Sequence, residues 1–170
     1  MRRLLTLSMR ISRFCFRQPG GKLIEKGSCT VQSLQVIDSQ KKWLLVRPAA
    51  GREDAGQYVC PIGGHIKNGE SDLEALRRES GEELGLQHFA YKRIGQAISN
   101  RQTKGHIENH YYIFYEVYSN DEPILNEESM DCQRFTPQEL KRKMKQDPAM
   151  FGDNLHFVIR SFYPGFASFQ

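Results

Sequence analysis

Gly64-His65-Ile66-Lys67-Asn68-Gly69-Glu70 opens a stretch that continues through residues 71–77 to Arg78-Glu79-Ser80-Gly81-Glu82-Glu83-Leu84-Gly85-Leu86. Ser71 with Glu74 three residues on is a capping box, so a helix is expected to begin at about Ser71 and to stop at Gly85. At roughly 100° per residue, Glu79, Glu82 and Glu83 fall within an arc of about 100° on that helix. Three carboxylates on one face repel one another. A hard divalent cation removes the repulsion, and an all-oxygen set suits Mg²⁺ or Mn²⁺, ions that bridge carboxylates to phosphate oxygens. Leu73, Leu76 and Leu84 are the expected buried stripe. Ser80 falls on it; a buried hydroxyl can bond back to the carbonyl one turn earlier, so the serine is expected to weaken packing by about 1 kcal/mol rather than abolish the fold. Gly81 costs roughly another 1 kcal/mol of helix propensity.

The stretch resembles the Nudix box: Gly, five residues, Glu, seven residues, Arg-Glu, an apolar residue, any residue, Glu-Glu, any residue, Gly and an apolar residue. Every specified position is matched except Ser80, where an aliphatic residue is usual. Pro61-Ile62-Gly63-Gly64 also replaces the commoner Pro-Gly-Gly order. The resemblance implies an α/β fold, an α/β/α sandwich with a mixed central β-sheet. It also implies a hydrolase that uses Mg²⁺ or Mn²⁺ to cleave a diphosphate linkage in a nucleoside diphosphate joined to another moiety. On the same resemblance Glu79, Glu82 and Glu83 would bind the metal, and a carbonyl at Gly64 would be a further ligand because no Cβ keeps the ion away. Arg78 would orient the carboxylates by bidentate bonding, and Glu70 would brace the loop. The ion would polarise phosphoryl oxygens and lower the pKa of the attacking water. Members differ in the group that takes the proton. Here Glu82 ranks first and Glu128 second, with Glu127, Glu128 and Asp131 read as a loop before Phe135.

Around this stretch the composition is that of one ordinary domain. The chain has 170 residues, 39% of them hydrophobic and 26% charged, with no apolar run of membrane-spanning length. Its net charge of +4 is uneven. Residues 1–28 hold Arg2, Arg3, Arg10, Arg13, Arg17, Lys22 and Lys26 against Glu25, so a basic arm is divided from a near-neutral domain over 29–170. The arm fits a mitochondrial transit peptide, a short basic extension, or an upstream start with Met9 as the true one. The expected compartment is the cytoplasm, with the mitochondrion as the alternative. Cys15, Cys29, Cys60 and Cys132 have no ligand-type spacing and read as free thiols.

Strands are expected at 29–37 and 43–46 about a turn at 38–41, then at 90–99 and 107–118, where β-branched and aromatic residues crowd. Residues 48–56 read as loop, with 58–60 leading into the glycines. Thr136-Pro137-Gln138-Glu139 is a second capping box, opening a helix that stops near Asp147-Pro148, and a last helix is expected over 154–162. His106, Glu108 and His110 alternate along the 107–118 strand candidate and its lead-in, a spacing that fits substrate contact or solvent exposure better than a zinc site. Arg101 and Lys104 precede them in a loop, as candidate phosphate contacts or plain surface charge.

The marks that divide Nudix subgroups are missing. There is no NADH-pyrophosphatase motif, no coenzyme A motif, no Pro between Gly85 and Pro123, and no Tyr at 102–104. The substrate class therefore rests at a nucleotide diphosphate-type molecule. An isomerase on this fold would need a cysteine motif that has no counterpart here. A non-catalytic nucleotide- or RNA-binding protein of the same fold is the alternative, with the arm as an electrostatic tether. Nucleic acid and membrane are not the expected partners, and a homodimer stays open.

Overall fold

A computed structural model describes residues 30–67, 69–103 and 106–167, with 30–32, 100–103, 106–109 and 167 as backbone only. The basic arm lies outside them. The elements are β1 (Thr30–Ile37), β2 (Trp43–Pro48), β3 (Ile62–His65), α1 (Asp72–Leu84), β4 (Ala90–Thr103), β5 (His106–Tyr118), β6 (Ser129–Phe135), α2 (Pro137–Gln146), a 3₁₀ turn (Pro148–Met150), α3 (Asp153–Phe162) and α4 (Pro164–Ala167).

Six strands form one mixed sheet in the order β4-β5-β1-β2-β6, with β3 also paired to β1. β1 and β5 run parallel, and the other pairs are antiparallel. β1 divides its edge. Val31 to Leu34 meet β3, and Val36 and Ile37 meet β2. The two-residue period of each strand sends alternate side chains to opposite faces. Leu34, Val36, Ile62, Ile113, Tyr115 and Val117 join Ala75, Leu76 and Leu84 of α1 in one core cluster. Ile37, Trp43, Leu45, Phe114 and Phe135 join Leu140 of α2 and Leu155, Val158 and Ile159 of α3 in the other. This is the expected α/β/α sandwich, and runs of apolar residues in β2 and β5 follow from a sheet covered on both faces.

Two strands went unread in the sequence. β3 is Ile-Gly-Gly-His, too short and too glycine-rich for a propensity signal, and it exists because β1 offers an edge. β6 is Ser-Met-Asp-Cys-Gln-Arg-Phe, expected to be loop, and it forms by pairing with β2 from Trp43↔Phe135 to Pro48↔Ser129. Asp131 is therefore a strand residue, not a loop one, and it is ion-paired to Arg47. β4 also runs on past Ser99 to Thr103.

Candidate active site

The glycine loop and α1 are one local construction. Ser71 caps α1 through its side chain while Glu74 returns a bond to the Ser71 backbone. At the other end Gly85 sits at φ 68°, where it and Leu86 donate back to the carbonyls of Gly81 and Ser80. Leu76 and Leu84 are fully buried and Leu73 is partly buried, so the helix cannot rotate on the sheet. Ser80 shares that face at 0% exposure, and its Oγ has no hydrogen-bond partner. The expected bond to the preceding turn is not made.

Arg78 is the hub of the site. Its Nε and Nη2 donate to Glu70 at 2.7 and 2.9 Å, a bidentate pair, and Nη2 also donates to the His65 carbonyl at 3.2 Å. Nη1 donates to Glu79 at 2.5 Å and to Glu82 at 3.2 Å. Glu70 additionally accepts from the Lys67 backbone N–H at 2.8 Å, which closes the loop onto the helix. The guanidinium holds the Glu70 carboxyl well down, at about 2, and Glu70 in turn is the largest cause of a raised Arg78 pKa.

Each carboxylate of the arc has a different setting. Glu79 is buried beneath Gly64, and a Cβ added to Gly64 would overlap the Glu79 carboxylate. Glu82 is the exposed one, its side chain 55% accessible. Glu83 is half-buried and accepts from the Gly63 backbone N–H. Burial, then the charge of Glu79, with smaller pushes from Glu128 and Glu82, raise the Glu83 carboxyl to about 8 against that bond. Glu128 arrives on the segment before β6, which is tied to the end of α1 by Ile124 N–H to Leu84 and by Asn126 to the Glu82 carbonyl. It pairs with Arg52 at 2.7 Å.

The donor set fits a hard cation in its chemistry. Glu79, Glu83 and the glycine backbone meet where no Cβ intrudes, and Glu83 bears the charge of three further carboxylates. Among the described residues no three acidic, histidine or cysteine side chains converge closely enough to hold an ion, and Arg78 holds one oxygen of Glu79.

The other candidates divide. His110 on β5 stands edge-on to His65, ring centroids 5.8 Å apart, beside the loop that Arg78 grips. Arg101 and His106 fall at strand positions described as backbone only, and Lys104 lies outside the described residues. His65 itself was not singled out in the sequence, because it occupies an unspecified position of the box. Its signal is spatial: the ring faces β5 while its carbonyl meets Arg78.

Among the described residues no helix is long and apolar enough to cross a membrane. Similar solved structures share the fold. A protein from Deinococcus radiodurans, DR0079, is 22% identical with a TM-score of 0.66, over 86% of this chain and 90% of that one. A MutT protein from Methanosarcina mazei Go1 is 20% identical with a TM-score of 0.62, over 85% and 96%. An Ap4A hydrolase from C. elegans is 16% identical with a TM-score of 0.57, over 82% and 98%. Comparison with curated proteins returns no match. The model of the NUDIX domain matches residues 30–155, and so the chain belongs to the Nudix family.

Proposed function

We propose that the protein is a divalent-cation-dependent hydrolase that cleaves a diphosphate linkage in a nucleoside diphosphate joined to another moiety. The observation that carries this reading is the Arg78 clamp, one guanidinium spanning Glu70, Glu79, Glu82 and the His65 carbonyl around a backbone too close for a Cβ. Glu79, Glu82, Glu83 and the Gly64 carbonyl would hold Mg²⁺ or Mn²⁺, which supplies charge neutralisation and polarisation of phosphoryl oxygens when bound. Glu70 and Arg78 fix the carboxylates to the loop. Glu82, exposed and joined to Arg78 only at 3.2 Å, is the carboxylate that water reaches, and it is the first choice of general base. Glu128 is the second, because its charge acts on Glu83 and its ion pair with Arg52 is half exposed. His110, whose ring stands 5.8 Å from that of His65, would contact the substrate. The fold relative from C. elegans that hydrolyses Ap4A is consistent with this substrate class.

The test is phosphate release from nucleoside triphosphates, nucleotide sugars, dinucleotides and polyphosphates in Mg²⁺, with Glu83→Gln as blank. Turnover by the wild type alone is expected on at least one compound, and identical traces from the two proteins on every compound would sink the proposal. Glu82→Gln should lower kcat by 10²-fold or more and Glu128→Gln by less, the usual span for a lost general base being about 10²–10⁴. Near wild-type turnover in both removes both from the role. A second reading, nucleotide binding without turnover, draws on the hold of Arg78 on Glu79. It predicts metal-independent nucleotide affinity with no phosphate release.

A further inference from the structure

The arginines around the site are not equally committed. Arg78 is engaged on four sides. Arg47 bonds Asp131 through both Nε and Nη2 across the β2–β6 pairing, and its guanidinium lies 5.3 Å from the centre of the Tyr58 ring. Arg52 is held more lightly. Among the described residues its side chain makes a single bond, from Nη2 to Glu128 Oε1 at 2.7 Å, and both side chains are half exposed. Such a pair contributes little, because water screens it and two long side chains are ordered to make it.

The backbone keeps the two residues together whatever their side chains do. The Ala49 N–H donates to the Glu128 carbonyl at 2.8 Å, and the Arg52 N–H donates to the Ala49 carbonyl at 3.2 Å. The Gly56 N–H closes the base of the loop on the Pro48 carbonyl at 3.1 Å. Gly51 and Gly56 turn the chain at φ 86° and 77°, and a Cβ on either would meet nothing within 4 Å, so conformation and not close approach requires them. On its far side the loop rests on the start of α3, where the Asp54 carboxylate fills the place a Cβ on Gly152 would take. Glu128 is fixed to the carboxylate helix in turn. Its N–H donates to Asn126 Oδ1 at 2.9 Å, and Asn126 Nδ2 donates to the Glu82 carbonyl at 3.2 Å. A chain of bonds thus runs from α1 to Arg52, and only its last link is a weak side-chain pair.

We propose that Arg52 is an exchangeable clamp, which neutralises Glu128 before the substrate arrives and passes to a phosphate oxygen when the diphosphate binds, leaving Glu128 as an unpaired carboxylate. The inference rests on the diphosphate-hydrolase reading and assigns it a residue that the box does not contain. No covalent step is involved: one N–H···O bond breaks and another forms, by side-chain rotation on a loop that stays in place. The direction of the exchange follows from the acceptors. A guanidinium has five N–H donors in a fork that matches the oxygens of a phosphate, whereas Glu128 takes one of them in water. The released Glu128 is then able to accept a proton, the role for which it stands second.

Calorimetric titration with α,β-methylene-ADP, whose phosphorus atoms are joined through carbon and are not hydrolysed, tests the exchange in Mg²⁺ at about 0.15 M salt, where distant charges are screened. Arg52→Ala is expected to weaken binding about tenfold or more, and Arg52→Lys, which keeps the charge without the fork, by less. Glu128→Gln removes the competitor and should tighten binding about two- to fivefold. That gain should vanish in the Arg52→Ala background. Both side chains are half exposed, so all the variants should melt within a few degrees of the wild type. Equal gains from Glu128→Gln in the two backgrounds would mean simple relief of repulsion and would overturn the proposal. Wild-type affinity in Arg52→Ala, or no binding of the analogue to the wild type, overturns it as well. Equal gains alongside turnover in the Mg²⁺ screen remove Arg52 and keep hydrolysis, whereas a gain confined to the Arg52 background with no phosphate release keeps the exchange and sinks the hydrolase reading.

Discussion

Ser80→Ala should make the protein more stable. Ser80 stands in the apolar stripe of α1 at 0% exposure, and its Oγ has no partner. An unsatisfied buried hydroxyl costs about 1–3 kcal/mol, and alanine removes it while also gaining about 0.5 kcal/mol of helix propensity. Against these stands the loss of one packed atom, less than about 1 kcal/mol. The net is about 1–2 kcal/mol, and at about 2–4 °C per kcal/mol for a chain of this size the melting temperature should rise by roughly 3–6 °C. Thermal and urea unfolding of the metal-free protein followed by circular dichroism measure it. Gly81→Ala is the companion variant. Its Cβ would meet Gln87 Nε2 at 3.6 Å, an ordinary contact, so helix propensity alone should raise stability by about 1 kcal/mol. Should Gly81→Ala stabilise while Ser80→Ala melts at or below the wild type, the hydroxyl is satisfied after all, and the account of this helix face is wrong.

Gly64→Ala should fold and lose activity, because the new Cβ displaces the Glu79 carboxylate. A drop in kcat of at least 10-fold with a melting temperature within a few degrees of wild type is expected, and unchanged kcat refutes the close approach. Glu70 has its carboxyl lowered from 4.5 to about 2 by Arg78, so its stabilisation is fully present above pH 4.5 and is lost as pH falls towards 2. At about 1.4 kcal/mol per pKa unit, discounted for the part of the pair that water reaches, this is on the order of 1–2 kcal/mol. The stability gap between wild type and Glu70→Gln should therefore close on acidification, and a gap constant from pH 7 to pH 3 would show that the ion pair is not its source. Mg²⁺ at 100 times its Kd should stabilise the wild type by about 2.7 kcal/mol, read as a higher melting temperature, and should leave Glu83→Gln unshifted. Equal shifts in both proteins would remove Glu83 from the ion site.

The site and the fold were legible to different depths for a physical reason. Glu70, Arg78, Glu79, Glu82 and Glu83 lie within fourteen residues because a loop and the helix it feeds are contiguous, so their geometry is written in local spacing. The capping box at Ser71 and the terminator at Gly85 are local too, and each appears where a rule of helix ends puts it. β3 and β6 are stabilised by partners far along the chain, β1 and β2, and their own residues carry little preference for a strand. The role expected for Ser80 went astray because a back-bond to the preceding turn is a matter of side-chain rotation, which spacing does not determine. A file of rings is the extreme case. His65, His110, Tyr112 and Phe157 come from β3, β5 and α3, and only the sheet register brings them into line.

That division separates what can vary from what cannot. Arg78 is committed on four sides, to Glu70, Glu79, Glu82 and the His65 carbonyl, and a lysine could not replace its forked donors. Changing any of these residues disturbs the others, because one guanidinium carries all the bonds. The wall formed by Tyr112 and Phe157 has no such hub. Each ring touches its neighbours through dispersion and tilt, so a replacement at Phe157 leaves the clamp in place. Bonds gathered on one guanidinium and contacts spread over separate rings are physically independent. On this arrangement Phe157→Leu should leave the acid-sensitive stability conferred by the Arg78–Glu70 pair in place.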